Sequence, residues 1–259
     1  MRYSTLRRGC QGLALGLLVS ALSTVGVTVA PVQAAITNPG FEDAPALTGW
    51  STYGSNVTRE DGTFGVAPIE GAYQALLSTG SGAPGSSPIT SGSMESILGL
   101  TSGTLDAFSL NFTTEGSLMT QTFSAAAGEI LSFHWNFLTN EALFDIDFND
   151  YGFYALTNVS SPIDLIGDTF SPLIPSAGSF LSETGYNLVS LTLPTTGLYT
   201  LAFGVLDVGD ASVDSGLLID NVKLIGGSAV PEPSSVVLLA SGLAGLGYWR
   251  RKQLMAVKA

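Results

Sequence analysis

Short runs in which apolar and polar residues alternate are the feature that most restricts how this chain can fold. Residues 131–137 read Leu-Ser-Phe-His-Trp-Asn-Phe, and residues 199–205 repeat the pattern as Tyr-Thr-Leu-Ala-Phe-Gly-Val. A period of two puts every second side chain on one face, as a β-strand with one buried face requires. Glycine and proline separate the runs, so the sequence predicts an all-β fold, an antiparallel β-sandwich.

Other segments show the same alternation. They predict further strands at Tyr73–Leu77, Ser117–Phe123, Gly152–Leu156 and 189–193. Near the end of this region, Leu218, Asp220, Val222 and Leu224 share one phase, which predicts that all four point inward.

The charges are few, and they are distributed unevenly. Charged residues make up 12% of the chain, and between the two ends only Arg59 and Lys223 are basic, against twenty acidic residues. Nucleic-acid binding is excluded, because affinity for phosphate requires clustered Lys and Arg. Two interpretations of the acidity stay open: solubility outside the cell, or cation binding. The single cysteine, Cys10, lies near the N-terminus, so the body has no disulfide.

The N-terminus has the three parts of a secretory signal peptide. Arg2, Arg7 and Arg8 precede an apolar stretch, and small residues follow up to Ala34 and Ala35. This order predicts a signal peptide over residues 1–34, passage through the Sec translocon, and cleavage by signal peptidase between Ala34 and Ala35. A retained membrane anchor is the alternative.

The C-terminus combines a short motif, an apolar helix and basic residues. Val230-Pro231-Glu232-Pro233 precedes an apolar segment, predicted as a transmembrane helix over 235–249, and Arg250, Arg251 and Lys252 open a basic tail over 250–259. The apolar stretch reaches about 21 Å at 1.5 Å per residue, which is short of the ~30 Å hydrocarbon core. Basic residues stay on the cytoplasmic side. The pattern predicts transient membrane insertion with the body outside, and an ordinary tail anchor is the alternative.

Residues 228–259 resemble the PEP-CTERM sorting signal in all three of these features. The resemblance implies recognition by an exosortase, a membrane cysteine protease-transpeptidase of Gram-negative bacteria. It further implies cleavage near Pro231–Pro233 and transfer of the body from the inner membrane to the cell surface or extracellular matrix.

The two ends of the body, residues 35–227, resemble a second family. Ile36-Thr37-Asn38-Pro39-Gly40-Phe41-Glu42 followed by Gly49-Trp50, and the closing Leu218-Ile219-Asp220-Asn221-Val222-Lys223-Leu224, are similar to galactose-binding-like jelly rolls, which include carbohydrate-binding modules. The resemblance implies a jelly-roll sandwich with a structural calcium ion at the positions of Glu42 and Asp220.

The phase of Asp220 also points to a cation. A buried carboxylate is costly unless it is paired or bound to a metal, and basic partners are scarce in the body. Calcium, which prefers oxygen ligands, is one partner, and hydrogen bonding at the end of a strand is the alternative. A second acidic group, Asp145–Asp150, departs from the pattern of a calcium loop. Both this group and the acidic turn Asp207–Asp214 are predicted to be solvated.

Function is less determined than fold. Tyr151 and Tyr186 are candidate sugar-stacking residues, while Trp50 is predicted to be core. One histidine and no body cysteine make zinc binding or nucleophilic catalysis unexpected, so the chain is not predicted to be an enzyme. We expect an exported structural or adhesive protein associated with extracellular polysaccharide or biofilm. The alternative is a specific carbohydrate-binding module.

Overall fold

A computed structural model describes residues 35–54, 56–80, 87–226, and, near the C-terminus, 241–243, 245–246 and 249–250. The described residues between 35 and 226 belong to one compact unit. Its strands form two sheets in which every pairing is antiparallel. The predicted all-β antiparallel sandwich is confirmed.

The two sheets have the following strands. The first sheet contains β1 (Ser51–Tyr53), β4 (Ile89–Thr90), β5 (Thr113–Ala125), β7 (Tyr151–Leu156), β8 (Ile163–Asp168) and β12 (Gly197–Val208). The second contains β2 (Val57–Asp61), β3 (Tyr73–Ser78), β6 (Ile130–Thr139), β9 (Ile174–Pro175), β10 (Ser182–Glu183), β11 (Asn187–Thr192) and β13 (Ser215–Ile225).

Long strands occupy the centre of each sheet. The order in the first sheet is β1-β5-β12-β7-β8, with β4 also paired to β5. The second sheet runs β2-β3-β13-β6-β10-β9, with β11 also paired to β6. The last two long strands, β12 and β13, thus lie inside different sheets, and each is hydrogen-bonded on both sides to strands that come much earlier in the chain.

The main core lies between the sheets and is built on aromatic residues. Phe203 of β12 packs edge-on against Phe133 of β6, with ring centroids 4.8 Å apart, and against Trp50 at 5.9 Å. Phe133 and Phe203 are completely buried, and Trp135 is half-buried at the margin of this core. Trp50 is buried, as predicted, and does not form an exposed platform.

A helical segment covers the outer face of the first sheet. Helix α1 (Ser91–Leu98) begins at the cap Thr90, whose hydroxyl accepts the N–H of Ser93, and ends at Gly99, where φ is 68°. Met94 of the helix packs with Leu118 and Phe153 in a second apolar cluster. The part of the outer face around Leu118 and Phe153 is therefore covered.

A β-bulge in β13 changes the predicted phase of the closing strand. The register shifts between Asp220 and Lys223, and Asn221 adopts a φ of 55°. Leu217 and Ile219 face the main core before the bulge, whereas Val222 faces it afterwards. The prediction that Leu218 and Asp220 point inward with Val222 is therefore wrong, because the bulged residue inverts the alternation. Leu218 packs in a small cluster on the outer face of the second sheet.

The predicted membrane segment, residues 235–249, lies mostly outside the described residues. In the part of the chain that is described, no helix has both the length and the hydrophobicity needed to cross a bilayer.

Phe203 is the natural test of the sandwich, because it packs against Phe133 of the second sheet and against Trp50, which directly precedes β1. Phe203→Ala should lower the free energy of unfolding by about 3–5 kcal/mol, since it leaves a cavity between the sheets. Leu198→Ala on the same strand removes a side chain that is 62% exposed and should change it by less than about 0.5 kcal/mol. Denaturant unfolding monitored by circular dichroism measures both. Equal losses for the two variants would contradict the described packing.

Candidate functional site

The first and last segments of the sandwich meet in one place, which we call the junction: residues 39–43, 69–73 and 220–223. The N–H of Val222 donates to the carbonyl of Pro39 at 3.0 Å. The opening motif and the closing strand, which are far apart in the sequence, are thus directly hydrogen-bonded.

Asp220 is completely buried in the junction, on the outer side of the second sheet. Its Oδ2 accepts the N–H groups of Ile69 at 2.7 Å and Glu70 at 2.9 Å, and its Oδ1 accepts that of Asn221 at 2.6 Å. Burial raises the pKa of Asp220, and these N–H donors act in the opposite direction by favouring the ionised form. The backbone therefore supplies the partner that a buried carboxylate requires.

Glu42 contacts the same segment from the other side. Its Oε1 accepts the N–H groups of Ala72 at 2.8 Å and Tyr73 at 2.9 Å, although the residue itself is exposed. Gly71 has a φ of +67°, and a Cβ there would lie 2.2 Å from Glu42 Oε1. Only glycine lets the backbone approach this carboxylate so closely.

Both basic residues of the body also lie at the junction. The Arg59 guanidinium donates to the carbonyls of Phe41 at 3.3 Å and Asp43 at 3.2 Å, and it lies 3.9 Å from the centroid of the Tyr73 ring. Lys223 forms an exposed ion pair with Glu70 at 3.5 Å. The role of Arg59 was not predicted, because its partners are backbone carbonyls, which no sequence motif reveals.

The junction brings together the two predicted calcium ligands, Glu42 and Asp220. Both offer carboxylate oxygen, the ligand type that calcium prefers. Within the described ranges, however, no three His, Cys, Asp or Glu side chains form a group that could hold a metal ion. Each carboxylate already accepts backbone N–H groups, so calcium at the junction stays a prediction.

The two tyrosines predicted to bind sugar differ in exposure. Tyr151 is completely buried, and its hydroxyl donates to the carbonyl of Leu105 at 2.7 Å. A ring beneath the helical cover of the first sheet cannot stack on a sugar from outside, so its prediction as a ligand residue is wrong. Tyr186 is half-buried, and its hydroxyl donates to Gln74 Oε1, so its predicted role stays open.

Two shallow clefts are present on the described surface. One, of about 280 Å³, lies on the outer face of the first sheet beside α1, and its lining includes Tyr53, Ile97, Leu98, Thr120, Thr157 and Thr200. The other, of about 270 Å³, is lined by residues that include Tyr154, Ser160, Ser161, Asp164, Thr192 and Pro194. In the cleft beside α1, the half-buried Tyr53 lies among threonine residues, so this cleft combines an apolar surface with hydrogen-bonding groups.

The predicted processing sites lie mainly outside the described part of the chain. Ala35 and Arg250 are described and exposed, whereas Ala34, Val230–Pro233, Arg251 and Lys252 fall outside it. A family model identifies the tail: residues 229–252 match the PEP-CTERM protein-sorting motif. The chain carries a PEP-CTERM sorting motif. The match includes every residue assigned to this motif from the sequence, from Val230 to Lys252.

Solved structures resemble the sandwich at low identity. A structure of TmCBM61 in complex with β-1,4-galactotriose is 13% identical, covers 75% of this chain and 99% of its own, and has a TM-score of 0.41. The K3 cleaved adhesin domain of Lys-gingipain from Porphyromonas gingivalis is 14% identical, with coverages of 75% and 98% and a TM-score of 0.34.

The enzymatically active domain of tailspike protein 4 from bacteriophage CBA120 is also similar. It is 14% identical, with coverages of 74% of this chain and 21% of its own, and a TM-score of 0.34. These similarities concern the β-sandwich fold alone. The comparison with curated proteins found no match.

Asp220 allows the hydrogen bonds of the junction to be tested separately from calcium. In excess chelator, Asp220→Asn should lower the free energy of unfolding by about 1–3 kcal/mol, because N–H groups that donate to a buried charged acceptor lose it. If calcium also binds here, adding it should raise the melting temperature of the wild type more than that of the variant.

Glu42→Gln should have a weaker effect, because the side chain is exposed. Thermal unfolding of the full-length chain with and without calcium measures both contributions. An equal calcium response in the wild type and in Asp220→Asn would contradict the prediction that calcium binds at the junction.

Proposed function

We propose that this protein is exported and then sorted through its C-terminal tail by an exosortase. The observation that carries this proposal is the match of residues 229–252 to the PEP-CTERM protein-sorting motif. In this scheme the Sec translocon exports the chain, signal peptidase cleaves after Ala34, and the tail inserts transiently in the inner membrane. Cleavage at the motif then passes the sandwich to the cell surface or the extracellular matrix.

The proposed role of the sandwich is structural or adhesive, in contact with extracellular polysaccharide. The acidic composition of the body is consistent with a domain exposed outside the cell, because a high net charge keeps a protein soluble. The proposed role includes no catalytic step.

Processing of the tail tests the sorting proposal. Replacing Pro231, Glu232 and Pro233 with Ala should leave the chain full-length in the inner membrane, because the protease would lose its recognition sequence. Mass spectrometry of the wild type should find a mature chain that begins near Ala35 and ends close to Pro231–Pro233.

Pro172→Ala is a matched control, because Pro172 is exposed and lies far from the motif in the sequence. It should be processed like the wild type. Release of the triple-alanine variant in the same trimmed form would refute sorting through this motif.

Specific carbohydrate binding is a second candidate function, and the cleft beside α1 supports it. Tyr53 is half-buried there, so part of its side chain can contact a ligand. Thr200 offers a hydroxyl group, which pairs with that of Thr122 at 2.9 Å. An aromatic ring flanked by hydroxyl groups suits a sugar, which has both apolar C–H faces and polar O–H groups.

Tyr53 variants test this second function. If a glycan array identifies a ligand, Tyr53→Ala should weaken its binding at least about tenfold, equivalent to about 1.4 kcal/mol. Tyr53→Phe keeps the ring and should retain most of the affinity if stacking dominates. A ligand that binds Tyr53→Ala as tightly as the wild type would exclude this cleft as its binding site. An array on which no glycan binds would favour the structural role.

A further inference from the structure

A cluster of buried polar side chains joins the two sheets away from the main aromatic core. It comprises five residues, each at most 2% exposed: Thr79, Thr139, Asp150, Asp207 and Ser215. The acids belong to the first sheet, since Asp150 directly precedes β7 and Asp207 lies on β12. Thr79, Thr139 and Ser215 lie on or beside strands of the second sheet. Asp150 and Asp207 were predicted to occupy solvated turns, and that prediction is wrong because both sheets cover them.

Asp150 is held from both sheets. Its Oδ1 accepts the N–H of Val208 at 2.8 Å, and its Oδ2 accepts the hydroxyl of Ser215 at 2.7 Å. The Ser215 hydroxyl also lies 2.8 Å from that of Thr139. This carboxylate is therefore fixed in position, while each of its oxygens keeps a lone pair for a further partner.

Asp207 differs from Asp150, because one of its oxygens has no partner. Its carboxyl group contacts that of Asp150 and the side chain of Thr79, and both burial and the neighbouring Asp150 raise its pKa. Oδ1 of Asp207 is buried and accepts no hydrogen bond. A buried acceptor without a donor is costly, and in a native protein it calls for a physical explanation.

In the described part of the chain, no basic side chain forms an ion pair with either of these two carboxyl groups. Arg59 and Lys223, the only basic side chains of the body, are engaged at the junction with backbone carbonyls and with Glu70. Further acidic groups act on the pair in the same direction: Asp214 raises the pKa of Asp207, and Glu141 raises that of Asp150. Two adjacent carboxylates removed from water require either a shared proton or a bound cation.

The chemistry of the cluster favours one class of cation. All the side chains offer oxygen, from two carboxylates and three hydroxyl groups, and none offers nitrogen or sulfur. Hard oxygen ligands select calcium over zinc and other transition metals. The pair is also sealed from solvent, with Asp150 at 1% and Asp207 at 2% exposure. A substrate could not reach it, so it is not a pair of glycosidase carboxylates.

We propose that Asp150 and Asp207 bind a calcium ion between the two sheets, with the hydroxyl groups of Thr79 and Ser215 beside it. The ion would neutralise the pair and give the orphan Oδ1 a partner. It would link β7 and β12 of the first sheet to β13 of the second. This site is distinct from the junction, where Glu42 and Asp220 bind different segments of the chain.

Calcium binding to the purified full-length chain tests the proposal. Isothermal titration with calcium chloride, after treatment with chelator, should show an ion that Asp207→Asn and Asp150→Asn each fail to bind. A hundredfold excess over Kd should raise the melting temperature of the wild type on the order of 5–10 °C. Most of this rise should be absent in both variants.

Two controls make the result specific. Asp147→Asn changes an exposed acid in the loop before Asp150 and should leave both calcium uptake and its thermal effect unchanged. Asp220→Asn removes the ligand predicted at the junction and should retain the uptake that depends on Asp207. If Asp207→Asn does not fold, uptake of one calcium ion by Asp220→Asn supports the buried site, and no uptake by this variant overturns it.

The competing explanation, a proton shared by the two acids, predicts a different outcome. Asparagine can replace a protonated acid and donate a hydrogen bond, so Asp207→Asn would then fold with an unchanged or higher melting temperature. Any calcium response, such as one from the junction, would then be the same in Asp207→Asn as in the wild type. That result, or calcium uptake that persists in both Asp207→Asn and Asp150→Asn, overturns the proposal.

Discussion

The contact between Phe203 and Phe133 is the interaction on which the rest of the sandwich depends. It joins β12 and β6, strands in the interior of different sheets, with ring centroids 4.8 Å apart. Each sheet alone would expose an apolar face, so neither is stable without the other. The strand β12 is hydrogen-bonded to both β5 and β7. Packing β12 against the second sheet therefore also positions the strands that carry the cleft beside α1 and the buried acids.

The body contains two groups of carboxylates that differ in the partners the protein gives them. At the junction, backbone N–H groups accompany Glu42 and Asp220, and the two basic side chains satisfy nearby carbonyls and Glu70. Around Asp150 and Asp207 the described residues provide hydroxyl groups and a backbone N–H, and no basic side chain among them pairs with either acid. Both basic side chains of the body, Arg59 and Lys223, are engaged where its first and last segments meet. The second acidic cluster is therefore the place where an external cation has the most to neutralise.

Export adds a further constraint on how this domain is stabilised. Its only cysteine precedes the body, so no disulfide can cross-link the sandwich in an oxidising compartment. Stability must come from the aromatic core, from the apolar cluster beneath α1 and from the polar contacts between distant segments. Both the junction and the buried acid cluster join segments far apart in sequence. Bringing such distant segments together costs chain entropy. A bound ion can offset this cost when it binds only the folded state.

Much of the architecture follows from patterns that depend on neighbouring residues alone. Alternation at residues 131–137 and 199–205 predicts strands because a pleated strand alternates its faces whatever it packs against. The sorting motif is likewise a local feature, read from consecutive residues, and its prediction is confirmed over residues 229–252. For the same reason, the sequence by itself determined that the chain is all-β, that its body is acidic and free of disulfides, and that its tail carries a sorting signal.

Only the tertiary structure decided which polar groups are buried and what they contact. The bulge at Asn221 inverts the phase of β13, and no periodicity within one strand reveals a register that two neighbouring strands impose. Tyr151 looks like a loop aromatic in the sequence but lies beneath α1, and Asp207 looks like part of a solvated turn but lies between two sheets. Burial of a side chain is a property of what covers it. Here the covering segments come from distant parts of the chain, so local sequence could not determine it.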